Sequence, residues 1–110
     1  MNPLTIRLRD TATGPVLHVG GDLDYDQAPV LRDRLDGLPL SSGQCLVLDL
    51  SGLAFCDSSG ITALLAARQH ALAADADVVL AAVPANLMRV LTLVGLDQVF
   101  TLRPDSSAAS

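Results

Sequence analysis

Residues 45–83, CLVLDLSGLAFCDSSGITALLAARQHALAADADVVLAAV, contain two apolar runs separated by a long segment rich in Ala and Leu. The runs at 45–50 and 78–83 are almost continuously hydrophobic, which is typical of strands that are covered on both faces. The segment 58–74 between them is long enough for a crossover helix, so the stretch predicts a βαβ unit with parallel strands. The side chains expected on the inner face of this helix are Ile61, Leu64, Leu65 and Leu72.

The residues before this unit predict an antiparallel hairpin at one edge of the sheet. Apolar and polar residues alternate over 4–9, residues 10–14 have turn chemistry, and a strand pattern resumes at 15–20. A helix follows, with either Asp24 or Asp26 as its N-cap and Pro29 in its first turn. The side chains expected on its buried face are Ala28, Leu31, Leu35 and Leu38.

After the unit, residues 86–94 have apolar residues at helical spacing, and Gly95 is placed to end that helix. Residues 98–102 predict a short last strand, and the small polar residues 103–110 predict a flexible tail. The whole chain, 1–110, therefore predicts one α/β domain with a core at about 4–102. Its sheet is mixed, with the N-terminal hairpin joined to parallel βαβ strands and helices packed on it.

The charge of the chain excludes several classes of partner. The formal net charge is −5, and the chain contains no Lys. Binding to nucleic acid or to an anionic membrane depends on cationic groups, so neither is expected.

The apolar stretch 78–88 is interrupted by Pro84 and is far shorter than the roughly 20 residues of a membrane helix. No signal peptide is evident after Arg7 and Arg9, so a cytoplasmic location without direct membrane insertion is expected.

The sequence offers no catalytic or metal-binding constellation. Cys45 and Cys56 lack the spacing of a zinc or redox motif and are expected to be reduced, mostly buried thiols. His18 and His70 have no Cys, Ser or carboxylate at triad or ligand spacing, so we expect a strand-face residue and a solvated helix residue. No glycine-rich phosphate loop is present. We therefore expect no enzyme activity, no metal and no cofactor.

The tetrapeptide Asp57-Ser58-Ser59-Gly60 lies where the predicted crossover helix begins. The first N–H groups of a helix are unpaired and carry partial positive charge, so a hydroxyl there suits either a cap or a phosphorylation site. Ser58 is open to both interpretations. Asp57 is either the cap or a group that orients the neighbouring hydroxyl, and Gly60 either admits another backbone segment or reduces crowding.

Two further motifs accompany this tetrapeptide: Gly21-Asp22-Leu23-Asp24 after the second strand and Val94-Gly95-Leu96 near the end. Together the three motifs resemble the signature of STAS domains, in particular the bacterial anti-sigma factor antagonists, over about residues 4–102. The resemblance implies that Ser58 is the phosphoacceptor of a partner serine kinase. The residues that it implies for partner binding are Asp22, Asp24, Asp57, Ser59 and Gly60.

The resemblance also implies a function for the chain. The unphosphorylated protein is expected to bind an anti-sigma factor with GHKL-type serine kinase activity, which frees a sigma factor for transcription. Phosphorylation is expected to release the complex, and a separate phosphatase to reset it. The alternative is a STAS accessory subunit that scaffolds an ABC-type membrane transport assembly without a phosphorylation cycle. The sequence leaves the identity of the sigma factor and the oligomeric state open.

Overall fold

The computed structural model of the protein describes residues 2–105. Its elements follow one another as strands, helices and one short 3₁₀ turn. They are β1 (Thr5–Thr11), β2 (Gly14–Leu23), α1 (Ala28–Asp36), β3 (Cys45–Cys56), α2 (Ser58–Ala73), β4 (Asp77–Ala81), α3 (Ala85–Leu93), the 3₁₀ turn Leu96–Gln98, and β5 (Thr101–Arg103). Within the described range no helix is long and apolar enough to cross a membrane.

The five strands form one mixed sheet in the order β1-β2-β3-β4-β5. β1 and β2 are antiparallel, and every later neighbouring pair is parallel. In the central pair, Leu46 lies opposite Val78 and Leu48 opposite Leu80. The predicted edge hairpin, the parallel βαβ pair and the α/β class are therefore confirmed.

The main core lies between the sheet and the helices. On β3, Leu46, Leu48 and Leu50 are all fully buried and point to one face, as the two-residue period of a strand requires. The buried residues of α1, α2 and α3 join this same cluster, so the three helices pack on one side of the sheet. A smaller buried cluster on the other side consists of Val16, Val47, Val79 and Ala81.

Several predicted boundaries were wrong. β3 continues to Cys56 and does not end at Leu50, because its second half pairs with the end of β2. β4 ends at Ala81, because Ala82 has a positive φ of 53° that breaks the strand. The last strand covers only 101–103, so it includes a residue that the sequence places in the tail. Residues 106–110 of that predicted tail lie outside the described residues.

The buried face of α2 also differs from the prediction. Leu64 is fully buried, and Ile61 and Leu65 are partly buried against the core, but Leu72 is 50% exposed. The side chains that pack most deeply are small ones, Ala63, Ala67 and Ala71. These alanines are spaced four residues apart and so lie on one face of the helix, whereas Leu72 points about 100° away from Ala71.

Candidate functional site

The first turn of α2 is capped by Asp57. This residue has an extended backbone, with φ −98° and ψ −170°, and its side chain accepts hydrogen bonds from two backbone N–H groups. Asp57 Oδ1 lies 2.9 Å from Ser59 N and 3.1 Å from Gly60 N. The sequence left open whether Asp57 caps the helix or orients the neighbouring hydroxyl. The structure shows that Asp57 is the cap, so Ser58 is not needed for that role.

Ser58 is the first residue of α2 and its side chain is exposed. Its backbone carbonyl accepts a hydrogen bond from Thr62 Oγ1 at 3.0 Å. Among residues 2–105, no group is hydrogen-bonded to its hydroxyl. The hydroxyl is therefore accessible, unengaged and located at the positive end of a 16-residue helix.

Ser59 is less exposed than Ser58. It lines an open groove of about 420 Å³ between α1 and the start of α2, together with Tyr25, Arg32 and Thr62 among others. Of the two neighbouring serines, Ser58 therefore has the more exposed side chain.

Gly60 allows the start of α2 to lie against the end of β2. It is buried, and a Cβ built on it would lie 2.6 Å from the carbonyl oxygen of Leu23 and 2.6 Å from Cys56 Sγ. The backbone N–H of Asp57 donates to that same Leu23 oxygen at 3.3 Å. The absence of a side chain thus admits another backbone segment, which is one of the two roles that the sequence suggested.

We expect Gly60→Ala to destabilise the domain by about 1–3 kcal/mol, because the new methyl group overpacks a backbone contact that cannot easily yield. Gly37→Ala is the matched control, since a Cβ there meets nothing closer than 3.7 Å. Thermal or urea unfolding of the two variants is the measurement. Equal stability of the two variants would show that the site tolerates a side chain.

Asp22, near the end of β2, and Asp24, in the loop that follows, lie on either side of Leu23, which contacts the start of α2. The register pairs Asp22 with Phe55 and Leu23 with Cys56, so the two strands end side by side. Asp24 Oδ1 accepts a hydrogen bond from Gln27 N at 3.0 Å. The N-cap of α1 is Gln27, and its side chain makes no capping hydrogen bond. The prediction that Asp24 or Asp26 caps this helix was therefore wrong.

Two aromatic residues beside this site were missed by the sequence analysis. The chain has one Tyr and two Phe. Tyr25 is 77% exposed next to Asp24, and Phe55 is 49% exposed two residues before Asp57. Large exposed aromatic side chains are enriched in protein interfaces. Their scarcity in this chain and their closeness to the two motifs were the signals that could have identified them.

The thiols and imidazoles do not form a catalytic group. Both cysteines are free and half-buried. Burial, followed by the nearby Asp57 carboxylate, raises the pKa of Cys56 to about 11, and burial also raises the pKa of Cys45. Such thiols are poor nucleophiles at neutral pH. Among the described residues no group of three or more His, Cys, Asp or Glu side chains could hold a metal ion.

The two histidines have partners that the sequence did not predict. His18 Nδ1 lies 3.4 Å from Asp49 Oδ2, because the two residues are cross-strand neighbours on the face opposite the helices. The Ser51 hydroxyl donates to Asp49 Oδ1 at 2.7 Å. It therefore points to the carboxylate of Asp49 and does not form a serine–histidine pair with His18. His70 Nε2 lies 2.9 Å from the carbonyl oxygen of Leu38, so it is a packed helix residue and not a solvated one.

The fold and the site together define a mixed-sheet α/β domain that presents an exposed serine at the start of its crossover helix. The family model described as "Mlab, STAS domain" matches residues 6–104. The chain belongs to the STAS-domain family.

Curated relatives and solved structures agree with this assignment. The anti-sigma-F factor antagonist RsfB of Mycobacterium tuberculosis is 28% identical over 99 residues, which are 90% of this chain and 80% of that protein. The anti-sigma-B factor antagonist of Listeria monocytogenes is 22% identical over 101 residues, 91% and 89% of the two chains. The crystal structure of an anti-sigma factor antagonist from Mycobacterium paratuberculosis superposes with a TM-score of 0.80 at 28% identity, covering 97% of this chain and 91% of that one.

Proposed function

We propose that this protein is a cytoplasmic anti-sigma factor antagonist that is switched by phosphorylation of Ser58. The observation that carries the proposal is the exposed Ser58 hydroxyl, which makes no hydrogen bond with any residue from 2 to 105, on a helix that Asp57 already caps. The chain is the substrate of its partner kinase and not itself a catalyst. Relatives that carry the antagonist name over about 90% of the chain support the same conclusion.

The surface around Ser58 suggests the chemistry of the partner. Asp57 precedes it in the chain and donates its backbone N–H to Leu23, the neighbour of Asp24. The exposed Tyr25 lines the groove beside Ser59. A partner surface with basic and apolar side chains complements this arrangement. The partner that we propose is an anti-sigma factor with GHKL-type serine kinase activity. The unphosphorylated protein binds this partner, and the binding frees a sigma factor.

Phosphoryl transfer changes this surface without dismantling the fold. The Ser58 oxygen bonds to the γ-phosphorus of ATP held by the kinase, the hydroxyl proton is lost, and ADP leaves. The product carries about −1.5 to −2 additional charges beside the Asp57 carboxylate. The partial positive charge at the start of α2 favours a negative group there, so we expect the domain to stay folded while the acidic surface repels its former partner. A separate phosphatase hydrolyses the phosphoester with water, which restores the hydroxyl and releases inorganic phosphate.

Affinity capture on the immobilised protein, followed by mass spectrometry, tests this proposal. We expect the unphosphorylated wild type to retain a GHKL-type kinase and Ser58→Asp to retain much less of it. Capture of an ABC-transporter ATPase, equally by both proteins, would favour the accessory-subunit function instead.

We expect Asp24→Asn to weaken binding to this kinase by about 1 kcal/mol, roughly a five-fold rise in Kd, because it removes a charge that faces the partner. The amide oxygen can still accept from Gln27 N, so the melting temperature should stay close to that of the wild type. Asp26→Asn, at an exposed neighbouring carboxylate, is the control for overall charge. If Asp24→Asn binds as tightly as Asp26→Asn, Asp24 is not a specific contact.

A further inference from the structure

Two hydrogen bonds tie Asp22 to Asn2, in the segment that precedes β1. The backbone N–H of Asn2 donates to Asp22 Oδ2 at 3.1 Å, and the backbone N–H of Asp22 donates to the carbonyl oxygen of Asn2 at 3.0 Å. The side chain of Asp22 is partly buried. The carboxylate of Asp22 thus already accepts a hydrogen bond from the protein's own backbone.

Gly21 makes room for this contact. It has a φ of +81°, and a Cβ built on it would overlap the carbonyl oxygen of Pro3. The register between β2 and β3 shifts between Gly21 and Asp22, which marks a bulge. Bulges redirect the side chain that follows, and glycine reaches positive φ without steric cost. The backbone here is shaped to turn Asp22 toward residues 2–3.

Asp22 is linked to the start of α2 through its neighbour Leu23. Leu23 follows Asp22, and its carbonyl oxygen accepts the hydrogen bond from Asp57 N at 3.3 Å. Leu23 also lies against Gly60, where a Cβ would come within 2.9 Å of its Cγ. A displacement of Asp22 would therefore be transmitted through one residue to the cap of the helix that carries Ser58.

We propose that Asp22 is a positioning residue: two hydrogen bonds to Asn2 hold it, and it fixes the end of β2 so that Asp24 and Ser58 are presented together to the partner. Its charge does not contact the partner. This inference rests on the proposed function, because the partner is the kinase that function requires. It assigns residues 2–3 a part in recognition, although they lie outside the tetrapeptide and loop motifs.

Two substitutions at Asp22 separate positioning from charge recognition. Asp22→Asn keeps an oxygen that can accept from Asn2 N but loses the charge, whereas Asp22→Ala loses both. Using the kinase retained by the wild type, we expect Asp22→Asn to bind within two-fold of wild type and Asp22→Ala to bind about ten-fold more weakly. Equal weakening by both would mean that the charge itself is recognised, and wild-type binding by Asp22→Ala would remove the residue from recognition altogether.

Gly21→Ala and Gly43→Ala provide a second, matched comparison. Both glycines have nearly the same positive φ, +81° and +84°, but a Cβ at Gly43 meets nothing within 4 Å. Both substitutions carry the same backbone strain, and only Gly21→Ala displaces residues 2–3. We expect a roughly ten-fold higher Kd for Gly21→Ala than for Gly43→Ala. Equal Kd values would overturn the proposal, and this pair decides it if Asp22→Ala does not fold.

Amide hydrogen exchange distinguishes failure of this inference from failure of the proposed function. If the wild type binds no kinase, the proposed function fails. The exchange rate of the Asp57 amide still shows whether Asp22 stabilises the hydrogen bond between Asp57 N and Leu23 O at the start of α2. We expect Asp22→Ala to raise that rate at least several-fold and Asp22→Asn to leave it near the wild-type value. Unchanged exchange in Asp22→Ala would show that Asp22 does not position the start of α2.

Discussion

Leu48→Asp should prevent folding. Leu48 is fully buried in β3, the central strand of the sheet, where it lies opposite Leu17 of β2 and Leu80 of β4. A carboxylate there loses its hydration without a compensating partner and leaves the volume of a leucine poorly filled, which together cost several kcal/mol. A domain of this size is stabilised by only about 5–15 kcal/mol, so the loss approaches the whole free energy of unfolding.

Circular dichroism and thermal melting measure this effect, with Val79→Asp as a second buried site and Leu72→Asp as the exposed control. Val79 is 2% exposed in the cluster on the other face, whereas Leu72 is 50% exposed. We expect the two buried variants to lack a cooperative transition and the control to melt within a few degrees of wild type. A cooperative melt for Leu48→Asp close to that of Leu72→Asp would contradict the packing described for the sheet.

Ser58→Asp should fold normally and bind the kinase less well by about 1–3 kcal/mol, roughly five-fold to 150-fold in Kd. A carboxylate suits the first turn of a helix, so no loss of stability is expected. The lost affinity comes from a charge placed at the docking surface beside Asp57. Ser58→Ala should fold, stay bound and resist phosphorylation, and so act as a constitutive antagonist.

Ser41→Asp is the control for added charge, since Ser41 is an exposed serine in the loop before β3, at the opposite end of that strand. Isothermal titration with the kinase, together with thermal melts of each variant, separates binding from stability. If Ser58→Asp and Ser41→Asp bind equally well, charge at Ser58 does not control the complex.

Regular elements could be predicted wherever one face of a segment is apolar and the other polar. The helix α1 is such a case, because Leu31 and Leu35 alternate with charged residues that are exposed. The helix α2 is apolar on nearly every side, so its sequence does not indicate which face is buried. That the buried face includes Ala67 and Ala71 is seen only in the folded structure.

Contacts between distant segments could not be predicted from local patterns. The second half of β3 contains Ser51, Gly52 and exposed small residues, which indicate a loop until pairing with β2 is considered. The contact between Asn2 and Asp22 joins segments 20 residues apart and depends on the bulge at Gly21. At the site, the tetrapeptide was recognisable, but only the geometry shows that Asp57 is the cap and that the Ser58 hydroxyl has no hydrogen-bond partner among residues 2–105.

The most direct test of the account is to incubate the wild-type protein with its captured kinase and ATP and to map the modified peptide by tandem mass spectrometry. We expect one phosphate, on Ser58, and none on Ser58→Ala treated in parallel. Phosphate on Ser59 alone would contradict the residue assignment but keep the switch. No phosphate on either serine, with a kinase that phosphorylates a known substrate under the same conditions, would contradict the phosphorylation switch itself.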